Sequence, residues 1–267
     1  MKIDFSVITI YELIALILSA GTILFNVLRY MYMKYIVKPQ IEYHSVGSLS
    51  LYSNLSGSYI KLNGVIDVLN KSVFVKKIRA KVIRSNDDKC INLEWSTFMS
   101  PVSQRITGSY MSSQEEAHPF RVWPGATECA FIEYVDPYNA SATEIETHIE
   151  PLKKTLNELL ERSLSYNEAY EAFVETTEYK DAKLSLEREM FWRVGHYTIE
   201  LVIEYDNCKK AYPFSFDVTE GLYKDIKHNI NECLISYLKE AYRMPYNYKT
   251  TMVKMSGEIN NLKNEWR

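Results

Sequence analysis

The most apolar stretch of the chain lies near its N-terminus and predicts a membrane-spanning helix. From residue 7 to residue 28 the only charged side chain is Glu12. At about 1.5 Å per residue such a helix is about 33 Å long, enough to cross a hydrocarbon core of about 30 Å. Tyr30, Tyr32 and Tyr35 follow this stretch, and their amphipathic rings suit the headgroup region of a membrane.

Basic residues flank the apolar stretch unevenly and predict its orientation. Lys2 precedes the stretch, whereas Arg29, Lys34 and Lys38 follow it. Because cytoplasmic flanks are enriched in Lys and Arg, we expect a single-pass protein of the cell membrane with its C-terminal body in the cytoplasm. A cleaved signal peptide, with residues 19–21 as its small-residue cleavage site, is one alternative interpretation, and a buried helix of a soluble protein is the other.

Small and polar residues of this helix recur at alternating spacings of three and four, which places them on one face. These residues, called the polar seam below, are Glu12, Ala15, Ser19, Thr22 and Asn26. Small and polar side chains mediate close helix contacts in lipid, and a polar stripe that faces lipid is unfavourable. We therefore predict that the polar seam binds a second copy of the helix or the helix of a partner membrane protein. The alternative interpretation is that the Glu12 side chain extends to the membrane–water interface and that the other four positions carry no function.

After Pro39 the pattern changes to an alternation of apolar and polar residues, which predicts β-strands. The alternating segments are 59–68, 77–82, 92–98, 129–135, 196–205 and 212–218. Short turns join several of them, and helices do not alternate with the strands. This order favours an antiparallel β-sandwich over a parallel α/β sheet. Trp95 and Trp123 are expected in the core or at corners of this body.

One strand start resembles a motif of known sandwiches. Gly195-His196-Tyr197 is similar to the tyrosine corner of immunoglobulin-like domains, although Ile199 stands where antibody domains carry a cysteine. In stretches such as 60–74 and 95–101, and in the order of its parts, the chain also resembles uncharacterised bacterial membrane proteins with a membrane helix and a β-sandwich. The predicted fold class is therefore mainly β with α: a single N-terminal transmembrane helix, an antiparallel immunoglobulin-like β-sandwich, a helical insertion and a C-terminal helix.

Two segments of the body have helical periodicity instead. Residues 144–191 carry 12 acidic and 6 basic side chains and predict a helical insertion that packs on the sheet or, in the alternative, binds a partner. Residues 220–242, capped by Thr219, predict a closing helix. The predicted divisions are a membrane anchor and juxtamembrane segment at 1–38, a β-sandwich domain at 39–243 and a polar tail at 244–267.

Charged residues are distributed unevenly along the chain, and one predicted strand carries a basic surface. The formal net charge is −3, and since the insertion contributes −6 the rest of the chain carries +3. A chain that is acidic overall is not expected to bind nucleic acid. The most basic surface, called the basic stripe below, is the predicted outward face of one strand: Lys76, Lys77, Arg79, Lys81 and Arg84. It predicts either a solvated strand face or a surface that docks on anionic membrane lipid.

The sequence contains no recognisable catalytic or metal-binding motif. The four cysteines (Cys90, Cys129, Cys208 and Cys233) are widely spaced, and none of the five histidines stands in an H-E-x-x-H sequence. G-x-S-x-G, Walker A and G-x-G-x-x-G are also absent. We therefore expect neither enzymatic activity nor a metal or cofactor.

These patterns together predict a membrane-anchored interaction module that faces the cytoplasm and forms oligomers through its membrane helix. Such a module would serve as a scaffold, sensor or effector. One alternative is an extracytoplasmic binding or adhesion-type sandwich in the opposite topology. The second alternative is an enzyme whose catalytic residues are dispersed along the chain.

Overall fold

The structure is a computed structural model that describes residues 9–55, 57–106, 109–136 and 141–257. Its helices are α1 (Ile10–Met31), α2 (Ser141–Leu160), α3 (Tyr166–Val174), α4 (Thr177–Glu189), α5 (Glu220–Leu234) and α6 (Ser236–Ala241). Its strands are β1 (Gln40–Asn54), β2 (Gly57–Leu69), β3 (Val73–Arg84), β4 (Cys90–Ile106), β5 (Ser109–Glu116), β6 (Phe120–Val122), β7 (Thr127–Val135), β8 (Gly195–Tyr205), β9 (Cys208–Val218) and β10 (Met252–Lys254).

The N-terminal helix α1 stands apart from the body and exposes its apolar surface. It begins at a capping box, in which the Thr9 hydroxyl accepts from the Glu12 amide and the Glu12 carboxylate accepts from the Thr9 amide. A π-helical turn, Tyr32–Ile36, extends it, and none of its side chains is buried. Together they form one candidate membrane-spanning helix of 27 residues near the N-terminus of the described chain.

The strands of the body are linked by antiparallel pairing into one sheet. Their order is β10-β1-β2-β7-β4-β3-β8-β9, with β5 beside β4 and β6 beside β3. The protein is therefore mainly antiparallel β with helices, as the alternation of apolar and polar residues predicts.

The two ends of this strand order approach each other, so that the sheet nearly closes into a barrel. The backbones of Ser215 in β9 and Ser256 exchange two hydrogen bonds of 2.7 and 2.8 Å. The side chains of Lys210 and Tyr212 both donate to the carbonyl oxygen of Ile41 in β1, at 2.8 Å. The immunoglobulin-like sandwich is thus not confirmed, since the hydrogen bonds run through one barrel-like sheet. Both architectures bury alternate residues of each strand, so the sequence pattern alone does not distinguish them.

The core fills the inside of this sheet and continues across the gap between β1 and β9. A Cβ atom on Gly64 would overlap the ring of Tyr43, which occupies the space above that glycine. The Tyr43 ring in turn lies 5.8 Å from the ring of Tyr212 and 6.0 Å from that of Phe214. These aromatic contacts hold β1 and β9 together beyond the short β10, which pairs with only three residues of β1.

In the sequence, helices α2–α4 come between β7 and β8, and helices α5 and α6 follow β9. After α4 the chain returns to the sheet through Trp192, which is fully buried and whose indole N–H donates to the carbonyl oxygen of Tyr52 at 2.8 Å. The segment predicted as one closing helix is divided at Ile235 into α5 and α6. The helical layer therefore attaches at the end of the barrel where β1 ends and β2 begins.

The C-terminal segment differs from the polar tail expected at 244–267. As far as residue 257 it runs along α5 and then enters the sheet, where β10 pairs with β1. Thr251 and Val253 are buried in that arrangement. Residues 258–267 lie outside the described part of the chain.

The contact expected of a tyrosine corner is present on this different architecture. The Tyr197 hydroxyl donates to the carbonyl oxygen of Arg193 at 2.9 Å and accepts from the amide of the same residue at 2.6 Å. It thus ties the start of β8 to the segment four residues upstream, as the motif does in immunoglobulin-like domains.

Candidate functional site

The polar seam lies on one exposed face of α1, and most of its hydrogen-bonding capacity is used inside the helix. The Ser19 hydroxyl donates to the carbonyl oxygen of Ala15, and the Thr22 hydroxyl donates to that of Leu18, both at 2.8 Å. The Glu12 carboxylate caps the first turn of the helix. These residues can approach a second helix closely without leaving polar atoms unsatisfied.

Asn26 differs from the other members of the polar seam. Among the described residues, no hydrogen bond reaches its exposed side-chain amide, which offers two donors and one acceptor. In a hydrocarbon environment such a group gains most from a partner on another helix, because it finds no water there.

The basic stripe is not the continuous positive surface that the sequence predicts. Lys77 forms an ion pair of 2.6 Å with Glu94 on β4, and Arg79 forms one with Glu204 on β8. Lys81 is exposed within the same strand. Opposite charges on neighbouring strands therefore neutralise much of this face.

Arg84 is buried at the end of β3, and its predicted outward position is wrong. The residue is only 6% exposed, and its guanidinium forms two hydrogen bonds of 2.7 Å to the Asp87 carboxylate and one of 2.6 Å to the carbonyl oxygen of Phe191. The hydrogen bonds from Arg84 lower the pKa of Asp87 to about 2. Arg84 thus joins the β3–β4 turn to the segment that follows α4. Lys76, at the other end of β3, is exposed and lies 3.5 Å from the side-chain oxygen of Asn207.

A surface that no sequence pattern indicates lies where α1 meets the barrel. The Lys71 ammonium donates to the carbonyl oxygen of Lys34 at 2.8 Å, so the β2–β3 turn touches the π-helical turn that extends α1. Trp123 lies nearby in the β6–β7 turn and is 62% exposed, so the expectation that it lies in the core is wrong. Trp95, by contrast, is half-buried and packs against Phe98 at a ring distance of 5.6 Å.

The turn that carries Trp123 is closed by a backbone hydrogen bond. The Ala126 amide donates to the carbonyl oxygen of Trp123 at 3.0 Å, with Pro124 and Gly125 between them, and Gly125 has a positive φ of 75°. Pro followed by Gly at these positions is the signature of a type II turn, in which only Gly adopts the positive φ readily. The Arg121 guanidinium lies 6.0 Å from the centre of the Trp123 ring.

A cleft of about 310 Å³ lies at the other end of the barrel, between the β1–β2 hairpin and α5. The rings of Tyr52 and Tyr59 stack there at 4.9 Å, and the sulfur of Cys233 lies 3.8 Å from the Tyr248 hydroxyl. Burial raises the pKa of the Cys233 thiol, which disfavours the nucleophilic thiolate. Within the described residues, no group of three or more His, Cys, Asp or Glu side chains could hold a metal ion.

Comparisons with known proteins place the chain in no family. No family model matches it, and no curated protein matches it. Among solved structures, a family 123 glycoside hydrolase from Clostridium perfringens aligns with 69% of this chain and 28% of its own, at 10% identity and a TM-score of 0.29. A likeness of that size carries no argument about fold or activity.

Proposed function

We propose that the protein is a membrane-anchored interaction module that associates through α1 and holds its barrel on the cytoplasmic side. The observation that carries this proposal is the state of α1, whose side chains are exposed throughout and whose Asn26 amide has no hydrogen bond among the described residues. A helix of this length and hydropathy is covered by lipid or by another helix, because its apolar surface is unfavourable in water.

The polar seam supports association of two helices in particular. Ala15 and Ser19 are small, which lets two helix backbones approach closely, and Asn26 can form a hydrogen bond across the interface. The opposite face of α1 carries large apolar side chains such as Leu24 and Leu28, which suit lipid. A dimer that joins the two seams is therefore the simplest arrangement, since it buries the polar face and leaves the apolar face to the bilayer.

The cytoplasmic position of the barrel rests on the charges around α1. Arg29, Lys34 and Lys38 follow the apolar stretch, and residues 29–39 contain no acidic side chain. The topology is tested in intact cells by protease treatment from outside. Protection of the barrel supports the cytoplasmic position, and digestion supports the opposite topology.

Association is tested by energy transfer between labelled full-length chains in lipid vesicles, with Asn26→Leu as the principal variant. Interhelical contacts of this kind contribute about 0.6–2 kcal/mol, so the dissociation constant in the membrane should rise about three- to thirty-fold. Leu24→Val, on the opposite face, is the matched control and should leave association unchanged. Equal association of the Asn26→Leu variant and the unaltered chain would rule out the polar seam as the interface.

A further inference from the structure

Four connecting segments meet at the end of the barrel from which α1 leaves, and we call this surface the anchor end. It comprises residues 37–40, 69–72, 121–126 and 205–208. Gln40 pairs with Leu69 across the β1–β2 ladder, the Gly125 amide donates to the carbonyl oxygen of Val68 at 3.4 Å, and the Asp206 amide donates to that of Phe74 at 3.0 Å. These hydrogen bonds hold the segments side by side.

The geometry of α1 places the anchor end at the depth of lipid headgroups. If the hydrocarbon core ends near Arg29, Lys34 lies about 7 Å further along the helix axis, and the headgroup layer is about 5–8 Å deep. Lys71 donates to the Lys34 carbonyl oxygen and therefore lies in that layer too. Only residues 37–39 separate the end of the helix from β1, so the barrel cannot move far from the bilayer.

The side chains of the anchor end match the chemistry of a bilayer interface. Trp123 is 62% exposed and Leu69 is 45% exposed, while Lys71 and Arg121 supply positive charge beside them. The segments 29–39, 69–73 and 119–126 contain no acidic side chain. Asp206 is the acidic residue of the β8–β9 turn, and its carboxylate accepts a hydrogen bond of 3.3 Å from the Phe74 amide.

We infer that the anchor end docks on the bilayer surface, with Trp123 and Leu69 at the boundary between headgroups and acyl chains and with Lys71 and Arg121 among lipid phosphates. Tryptophan favours this boundary, and basic side chains near an anionic surface favour binding. This inference rests on the proposed anchoring of α1 in a membrane. It adds a defined orientation, in which the helical layer at the opposite end of the barrel points away from the bilayer.

Docking is tested by the fluorescence of the full-length protein in phosphatidylcholine vesicles that contain brominated lipid. Bromine quenches nearby tryptophans, so Trp123→Phe should remove most of the quenchable emission, whereas Trp95→Phe, the matched control, should leave it. Trp192 is buried, and Trp266, outside the described residues, is common to all the variants and cancels in the comparison. Equal quenching of the Trp123→Phe variant and the unaltered chain would overturn the inference.

Flotation of the same vesicles separates failure of docking from failure of anchoring. A chain that floats with the vesicles but shows no Trp123 quenching is anchored without docking, which contradicts the inference and leaves the proposed function intact. A chain that does not float contradicts the anchoring itself.

The basic side chains are tested by adding anionic phosphatidylglycerol to the vesicles. We expect Trp123 quenching to increase with the anionic lipid, and Arg121→Gln to weaken docking about five-fold. Lys81→Gln is the matched control, because Lys81 is exposed on β3 away from the anchor end. An effect of Lys81→Gln as large as that of Arg121→Gln would contradict a specific role of this surface.

Discussion

Two polar side chains of α5 direct the path of the chain after α6. Asn229 accepts from the backbone amide of Lys249 at 2.7 Å and donates to its carbonyl oxygen at 2.9 Å, as a neighbouring strand would. Glu232, only 4% exposed, accepts from the Lys239 ammonium at 2.7 Å and from the Asn247 amide at 2.9 Å. These contacts hold the segment along α5 and bring β10 to the edge of β1.

We predict that Glu232→Gln destabilises the barrel by about 3–5 kcal/mol, because it leaves the buried Lys239 ammonium without its counter-charge. Burial alone would raise the pKa of Glu232, but the hydrogen bonds from Lys239 and Asn247 outweigh it and lower this pKa. A carboxyl group whose pKa is lowered in the folded state stabilises the protein at pH values above the ordinary carboxyl pKa. This stabilisation is lost as the pH falls through the lowered pKa.

Thermal unfolding of the full-length protein, measured from neutral to acidic pH, checks this prediction. The Glu232→Gln variant should unfold at lower temperature at neutral pH, and the difference from the unaltered chain should shrink as the pH falls. Glu171→Gln, an exposed position on α3, is the control and should behave like the unaltered chain at neutral pH. A difference that does not change with pH would contradict the role given to the Glu232 carboxylate.

At the level of elements, a strand of only three residues contributes to closing the sheet. β10 has only three residues, yet it pairs with β1, and Ser256 just beyond it bridges to β9. Without this strand the edges of β1 and β9 would expose unpaired backbone groups to solvent and to other chains. β10 therefore contributes to closure out of proportion to its length.

Neighbouring residues of β10 provide a matched test of this role. Val253 is 7% exposed and Met252 is 57% exposed, so their side chains lie on opposite faces of the strand. We predict that Val253→Asp lowers the free energy of unfolding by more than about 2 kcal/mol, because it places a charge in the core, and that Met252→Asp is close to neutral. Urea unfolding of both variants measures the difference, and equal stabilities would show that β10 does not close the barrel.

At the scale of the whole molecule, the barrel has two ends with different surroundings. One end adjoins α1, and the other is joined to the helical layer through Trp192 and Arg84. Docking of the anchor end would leave the helical layer and the cleft beside Tyr59 on the side away from the membrane. That side is where a soluble partner could reach the protein.

Two exposed cysteines at opposite ends of the barrel test this orientation. Cys208 opens β9 at the anchor end, and Cys90 opens β4 at the other end. In vesicles, a bulky membrane-impermeant maleimide should label Cys208 several-fold more slowly than Cys90, with each rate normalised to that of the unfolded chain. Variants that keep one of these two cysteines, with the others replaced by serine, isolate each rate. Equal normalised rates would contradict the orientation.

Elements whose signals are local follow from the sequence alone. The apolar stretch predicts α1, and the alternation at 59–68 and 196–205 recurs in β2 and β8, because a strand places successive side chains on opposite faces. The Tyr197 hydroxyl, at the strand start that resembles a tyrosine corner, also has a local partner, which lies only four residues away. Such features depend on spacing within one segment.

Features that depend on contacts between distant segments do not follow from the sequence pattern and are visible in the folded structure. Closure of the sheet requires Tyr212 to reach Ile41, which no pattern in either strand specifies. The Arg84 guanidinium is paired with the carbonyl oxygen of Phe191, and the position of Trp123 depends on how the β2–β3 and β6–β7 turns come together. Alternation sets which face of a strand is apolar, but long-range pairing sets which strands are neighbours and therefore where each charged or aromatic side chain lies.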